Sequence, residues 1–71
     1  MNNDIKYLTD KQVSEITQIA LSTLRNDRFL GQGIPYIKTG RSVRYSLTDV
    51  VNFMESYRVK THQKEEILSY K

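Results

Sequence analysis

The run Pro35-Tyr36-Ile37-Lys38-Thr39-Gly40-Arg41-Ser42-Val43-Arg44-Tyr45 constrains the fold of this chain more than any other segment. It reads as a tight β-hairpin whose outward positions are cationic, with Gly40 at the turn. It follows directly on a helical stretch that carries Arg25 and Arg28. A basic hairpin beside a short basic helix is a shape suited to gripping a nucleic acid duplex.

Length narrows the options further. At 71 residues the chain is expected to form one domain. A chain of this size buries only about 60% of its unfolded surface, so its core has to be small and leaves no room for a deep pocket. The absence of cysteine removes disulfides, thiolate chemistry and cysteine zinc sites together. Met1-Asn2-Asn3-Asp4 has neither a basic stretch nor an apolar run, so no signal peptide is expected. No stretch approaches the roughly 18 apolar residues that span a bilayer. A soluble, cytoplasmic protein is the expectation.

Charge is unevenly placed. Arg25, Arg28, Lys38, Arg41 and Arg44 face only Asp27 within their segment, so that segment exceeds the chain's net +3 and the remainder is slightly acidic. Such a basic middle is the footprint of a polyanion binder. Charge alone fits a solvated basic face without a partner equally well.

Thr9 and Gln12 have the spacing of a capping box, with Leu8 placed to staple onto Val13. A first helix therefore begins at Thr9, with Val13 and Ile16 as its apolar stripe. It stops at Thr17-Gln18, and Ile19 reads as a buried residue in a tight turn. A second helix is predicted from Ala20 or Leu21 to Phe29, with Leu21 and Leu24 inward and Arg25 and Asn26 toward solvent. Gly31 and Gly33 stop it, and Ile34-Pro35 forces an extended exit. Two helices joined by so short a turn form a helix-turn-helix.

Matching side-chain faces, with Ile37, Val43 and Tyr45 directed to the core, favours a three-residue Gly40-Arg41-Ser42 loop. That register pairs Ile37 with Tyr45 and sets Lys38 across from Arg44 on the outer face. Like charges so placed repel each other, and a bound phosphate would relieve the repulsion. Ser46 caps a third helix, with Asp49 completing a second capping box. Leu47, Val50, Val51, Met54 and Tyr57 recur at helical spacing, with Phe53 widening the stripe, so this helix should supply much of the core. Met54 and Phe53 read as packing residues and not as a cofactor site. The expected organisation is an N-terminal arm at 1–6, a folded domain at 7–59 and a polar tail at 60–71. The tail leaves room for a short helix around Lys64 to Leu68, with Ile67, Leu68 and Tyr70 as its apolar residues.

No catalytic, metal or cofactor site is expected. His62 is the only histidine and has no partner ligand in sequence. Asp10 and Asp49 fall in helical first turns, where negative charge suits the helix dipole. Gly31, Gly33 and Gly40 do not form a phosphate-binding loop between a strand and a helix. Duplex binding is coherent by contrast. A recognition helix reads base edges in the major groove while flanking cations hold phosphates. Ser22, Thr23, Arg25, Asn26 and Arg28 are the candidates on the second helix. Arginine can bridge guanine and asparagine can bridge adenine. Lys38, Arg41, Ser42 and Arg44 are the candidates on the hairpin, with Arg41 at its tip able to enter a minor groove or rest on phosphates.

Tyr7-Leu8-Thr9-Asp10-Lys11-Gln12-Val13, then Ile16 to Leu24, then Pro35 to Tyr45 resemble the AlpA/excisionase group of small DNA-binding proteins, of the MerR-like winged helix-turn-helix class. The resemblance covers about Tyr7 to Tyr57. It implies an α+β, mainly α fold: three helices and a two-stranded β-hairpin wing between the second and third. It also implies a recognition helix carrying Ser22, Thr23, Arg25 and Arg28, and a wing carrying Lys38, Arg41, Ser42 and Arg44. Proteins of this group act as recombination directionality factors of phages and integrative elements, or as small transcriptional regulators. The implied partners are double-stranded DNA, an integrase or recombinase, and further copies of the chain on repeated sites. The chain departs from the group at Gln18, where glycine is usual, at Ala20, often serine, at Leu21, commonly basic, and at Asp27, frequently aromatic. A glutamine forced into a left-handed turn at position 18 would carry about 1 kcal/mol of strain. These departures shift weight from the helix to the wing. A module that binds an acidic protein through its basic face, with the tail as a docking segment, is the reading from another class.

Overall fold

A computed structural model describes residues 5–61, and local chemistry sets where most of its elements begin and end. Thr9 caps helix α1 (Asp10–Thr17). Its hydroxyl accepts from Gln12 N at 3.2 Å, and the Gln12 side chain accepts from Thr9 N at 2.9 Å, so the capping box is complete. Leu8 and Val13 are both buried in the same core, as the staple requires. Ile16 departs from the expected stripe. It is exposed, because only Val13 on this short helix points at the core.

The turn after α1 depends on Gln18, which adopts φ 65° and ψ 17°. Side chains hold this left-handed residue in place. Ser14 Oγ donates to Ile19 O at 2.6 Å, and Thr17 Oγ1 accepts from Ile19 N at 3.1 Å. Ile19 is partly buried against the core. Gln18→Gly should therefore raise stability by up to about 1 kcal/mol, the relief of left-handed strain less the extra chain entropy of glycine. In a domain of this size that is a rise in melting temperature of a few degrees, by a thermal melt. A lower melting temperature would show that the turn carries no strain.

Helix α2 (Leu21–Leu30) starts at Ala20 without a side-chain cap and has a stronger finish. Gly31 at φ 72° gives its N–H to Arg28 O, and Gln32 N donates to Asp27 O at 2.9 Å. This is a Schellman motif, and it satisfies the last carbonyls of the helix. Leu24 is buried on the inner face, and Leu21 is half-buried.

Strands β1 (Tyr7–Leu8), β2 (Ile37–Thr39) and β3 (Ser42–Ser46) form an antiparallel sheet in the order β1-β3-β2. The expectation of a two-stranded hairpin is thus exceeded. Tyr7 pairs with Ser46 and Leu8 with Tyr45, so the segment ahead of α1 becomes a third strand. The hairpin register also differs from the one that face matching favours. Ile37 pairs with Arg44, Lys38 with Val43 and Thr39 with Ser42, around a two-residue Gly40-Arg41 loop. Gly40 has φ 62°, whereas Arg41 has no positive φ. Glycine with positive φ at the first of two loop positions is the requirement of a type II′ turn, whose twist matches the strands it joins. The turn geometry prevails because Ile37 is not a core residue: it stays 39% exposed. Lys38 and Arg44 consequently lie on opposite faces, and the anticipated like-charge pair does not form.

Helix α3 (Leu47–Ser56) follows β3 without a loop. Ser46 Oγ accepts from Asp49 N at 3.3 Å, which is half of the expected capping box. The helix puts less into the core than its stripe suggests. Val50 is buried and Leu47 and Phe53 pack against the core, but Val51, Met54 and Tyr57 remain exposed. A helix that packs chiefly against one five-residue strand has no second surface to cover those side chains. The core is Leu8, Val13, Leu24, Ile34, Tyr45 and Val50. Each helix gives one of these, as do β1, β3 and the loop after α2, while β2 gives none. Among the described residues the fold is therefore a small α+β unit of three helices and a three-stranded antiparallel sheet. No helix among them is long and apolar enough to cross a membrane. His62 and the tail segment with Ile67, Leu68 and Tyr70 lie outside the described residues.

Candidate nucleic-acid interface

Register decides which cations meet. On β3 the buried Tyr45 and half-buried Val43 share one face, and Lys38 opposite Val43 shares it too. Beyond the edge of the core that face looks onto α2. There, Arg25 and Arg28, three residues apart on one helical face, meet Lys38 and Arg41 around an open trough of about 470 Å³. Phe29, Tyr36, Gly40 and Val43 complete its walls. A contiguous recess of about 540 Å³ extends it toward the start of α1, between Lys11 and Asp10 on one side and Ser42 and Arg44 on the other. Arg25, Arg28, Arg41 and Val43 border both parts.

The two helical arginines are held differently. Arg28 Nη1 donates to the Tyr45 hydroxyl at 2.8 Å and lies 3.4 Å from Asp10 Oδ2. Its guanidinium carbon is 5.8 Å from the Tyr36 ring centroid and 5.9 Å from that of Tyr45, within cation–π range. These contacts tie Arg28 to the core and leave its side chain 19% exposed. Arg25 donates from Nε to the same Asp10 Oδ2 at 3.0 Å, yet its side chain is 52% exposed. Arg28 thus braces the trough, and Arg25 presents its guanidinium to it.

The other sequence candidates fall around this centre. Ser22, Thr23 and Asn26 are exposed on α2 and lie outside the trough lining. Ser22 and Asn26 are one helical turn apart and so share a face. Arg44 is exposed and gives a hydrogen bond from Nη1 to Val43 O at 2.8 Å. It borders the Lys11 side of the recess and also a shallow apolar depression with Tyr7, Ile37 and Thr39 behind the hairpin. Asp10, Lys11, Tyr36 and Tyr45 have no place among the sequence candidates. Asp10 is the most consequential, and its partners stand 15 and 18 residues away, a separation that leaves no local signal.

The hydrogen bond from Arg25 holds the Asp10 carboxyl below the ordinary aspartate range; burial opposes this, and the fields of Arg25 and Arg28 add to it. A carboxylate whose folded pKa is depressed stabilises the fold above its unfolded pKa of about 3.9 and loses that contribution as pH falls through the folded value. Thermal melts across acid pH should therefore show a loss of stability beginning below about pH 4. Asp10→Asn should flatten that part of the profile, and an unchanged profile would remove Asp10 from the account.

No protein-family model, no curated protein and no solved structure matches the chain.

Proposed function

We propose that the chain binds double-stranded DNA as a winged helix-turn-helix, with α2 directed at the major groove and the β2–β3 hairpin as the wing. The convergence of Arg25, Arg28, Lys38 and Arg41 on one open trough carries this reading. The trough is walled by a helix of 10 residues and a hairpin, and the cations come from both. A duplex offers phosphates on either side of a groove, so a helix in the groove and a basic hairpin beside it meet both at once. The proposed role is binding without catalysis.

Arg28 is committed to Tyr45 and Asp10, so phosphate neutralisation falls to Arg25, Lys38, Arg41 and Arg44. On a random-sequence duplex, where all four rest on phosphates, these contacts correspond to a slope of log affinity against log salt of about −3.6. The biological role that accords with the resemblance of Tyr7 to Tyr57 is an excisionase-like recombination directionality factor, and a small transcriptional regulator of the same fold is the near alternative. One module of this size makes few contacts. Such a factor would act with a recombinase or with further copies on repeated sites.

A further inference from the structure

Resting on the DNA-binding reading, we propose that Asp10 is a positioning residue that aims the Arg25 guanidinium at guanine and so sets sequence preference. Four observations lead there. Asp10 is the first residue of α1, and the complete Thr9–Gln12 capping box fixes the backbone on which it stands. A single oxygen, Oδ2, takes both Arg25 Nε and Arg28 Nη1. Arg28 is anchored in turn on the hydroxyl of the fully buried Tyr45. Position is thereby passed from the core through Arg28 and Asp10 to an arginine that is half open to solvent.

The geometry of the guanidinium gives the consequence. Asp10 uses the Nε donor of Arg25 and leaves the edge formed by its two terminal nitrogens without a partner among the described residues. That edge is a fork of parallel donors which matches O6 and N7 of guanine. A free arginine must first lose considerable rotamer freedom to present such a fork, and one already held by a carboxylate loses less. The same carboxylate offsets one positive charge in the trough, which weakens the sequence-independent pull on phosphates. Both effects widen the gap between preferred and random sequence.

The test compares affinity for a random-sequence duplex with affinity for the duplex that the wild type enriches from a randomised library. Asp10→Ala should bind random duplex several-fold more tightly and lose discrimination by roughly 5- to 150-fold, the range for one bidentate guanine contact. Asp10→Asn, which keeps an acceptor for Arg25 and the shape of the side chain, should fall between the two. Arg25→Lys keeps the charge without the fork. It should lose discrimination while holding its affinity for random duplex, and Asp10→Ala added to it should lower discrimination no further. Replacing guanines of the enriched duplex by 7-deazaguanine should weaken the wild type at one position and leave Arg25→Lys indifferent there. If the wild type binds duplex but Asp10→Ala and Arg25→Lys keep its discrimination, the positioning role is wrong and the DNA reading stands. If the wild type retains no duplex, both fall together.

Discussion

Leu24→Ala is expected to bring the domain close to unfolding at physiological temperature. A buried leucine cut to alanine costs about 2–5 kcal/mol in lost transfer energy and residual cavity. Stability near 0.05–0.15 kcal/mol per residue gives a chain of 71 residues roughly 4–10 kcal/mol in total. The core has six buried side chains and, among the described residues, no second layer, so it can hardly collapse around the gap. Leu24 is the sole buried residue of α2, the helix that carries two of the three trough arginines, Arg25 and Arg28. A thermal melt should show a fall of at least about 10 °C. Ile16→Ser, on the exposed side of α1, should move the midpoint by no more than about 0.5 kcal/mol equivalent. Equal effects at the two positions would mean that the core is not where the packing puts it.

The second large effect concerns binding. Replacing Lys38 and Arg41 together by alanine should lower duplex affinity on the order of fiftyfold at 0.1 M salt, the contribution of two phosphate contacts. The slope of log affinity against log salt should become shallower by about two. Neither side chain packs in the core, and Arg41 occupies a loop position without positive φ, so alanine suits both sites. The melting temperature should stay within about 2 °C of the wild type. Filter binding or fluorescence anisotropy measures the loss. Unaltered affinity in the double variant would remove the hairpin from the contact surface.

What was legible in the sequence was local. Thr9 with Gln12, Ser46 ahead of Asp49, and Gly31 after α2 act within a few residues, and each sits where its spacing places it. Gln18 is the one residue other than glycine with a positive φ among the described residues. What failed depends on partners distant in sequence. Ile37 reads as a core residue in sequence, but the sheet turns it toward Tyr7, away from Tyr45. Val51, Met54 and Tyr57 form a convincing stripe, but periodicity carries no information on whether a surface exists to cover it. A two-residue strand such as β1 has too few residues to show alternation and becomes one only because β3 is there to pair with it.

The candidate site shows the same division. The charged segment from Arg25 to Arg44 was visible as an excess of cations, and the fold brings four of its five onto one trough together with the edge-lying Arg44 at the adjoining recess. Sequence alone set Lys38 and Arg44 side by side; the two-residue loop separates them and turns Lys38 toward α2. In sequence, Asp10 is explained by the helix dipole alone, as its place in the first turn of α1 allows. Its partnership with Arg25 and Arg28 exists only once α1 packs on α2.

The trough is proposed to bind a nucleic acid duplex through a small set of cations. Titration of duplex affinity against salt concentration by fluorescence anisotropy tests it most directly. With a random-sequence duplex, four phosphate contacts should give a straight line of slope about −3.6 in log affinity against log salt. A slope near zero, or no binding to duplex at low salt, would contradict it.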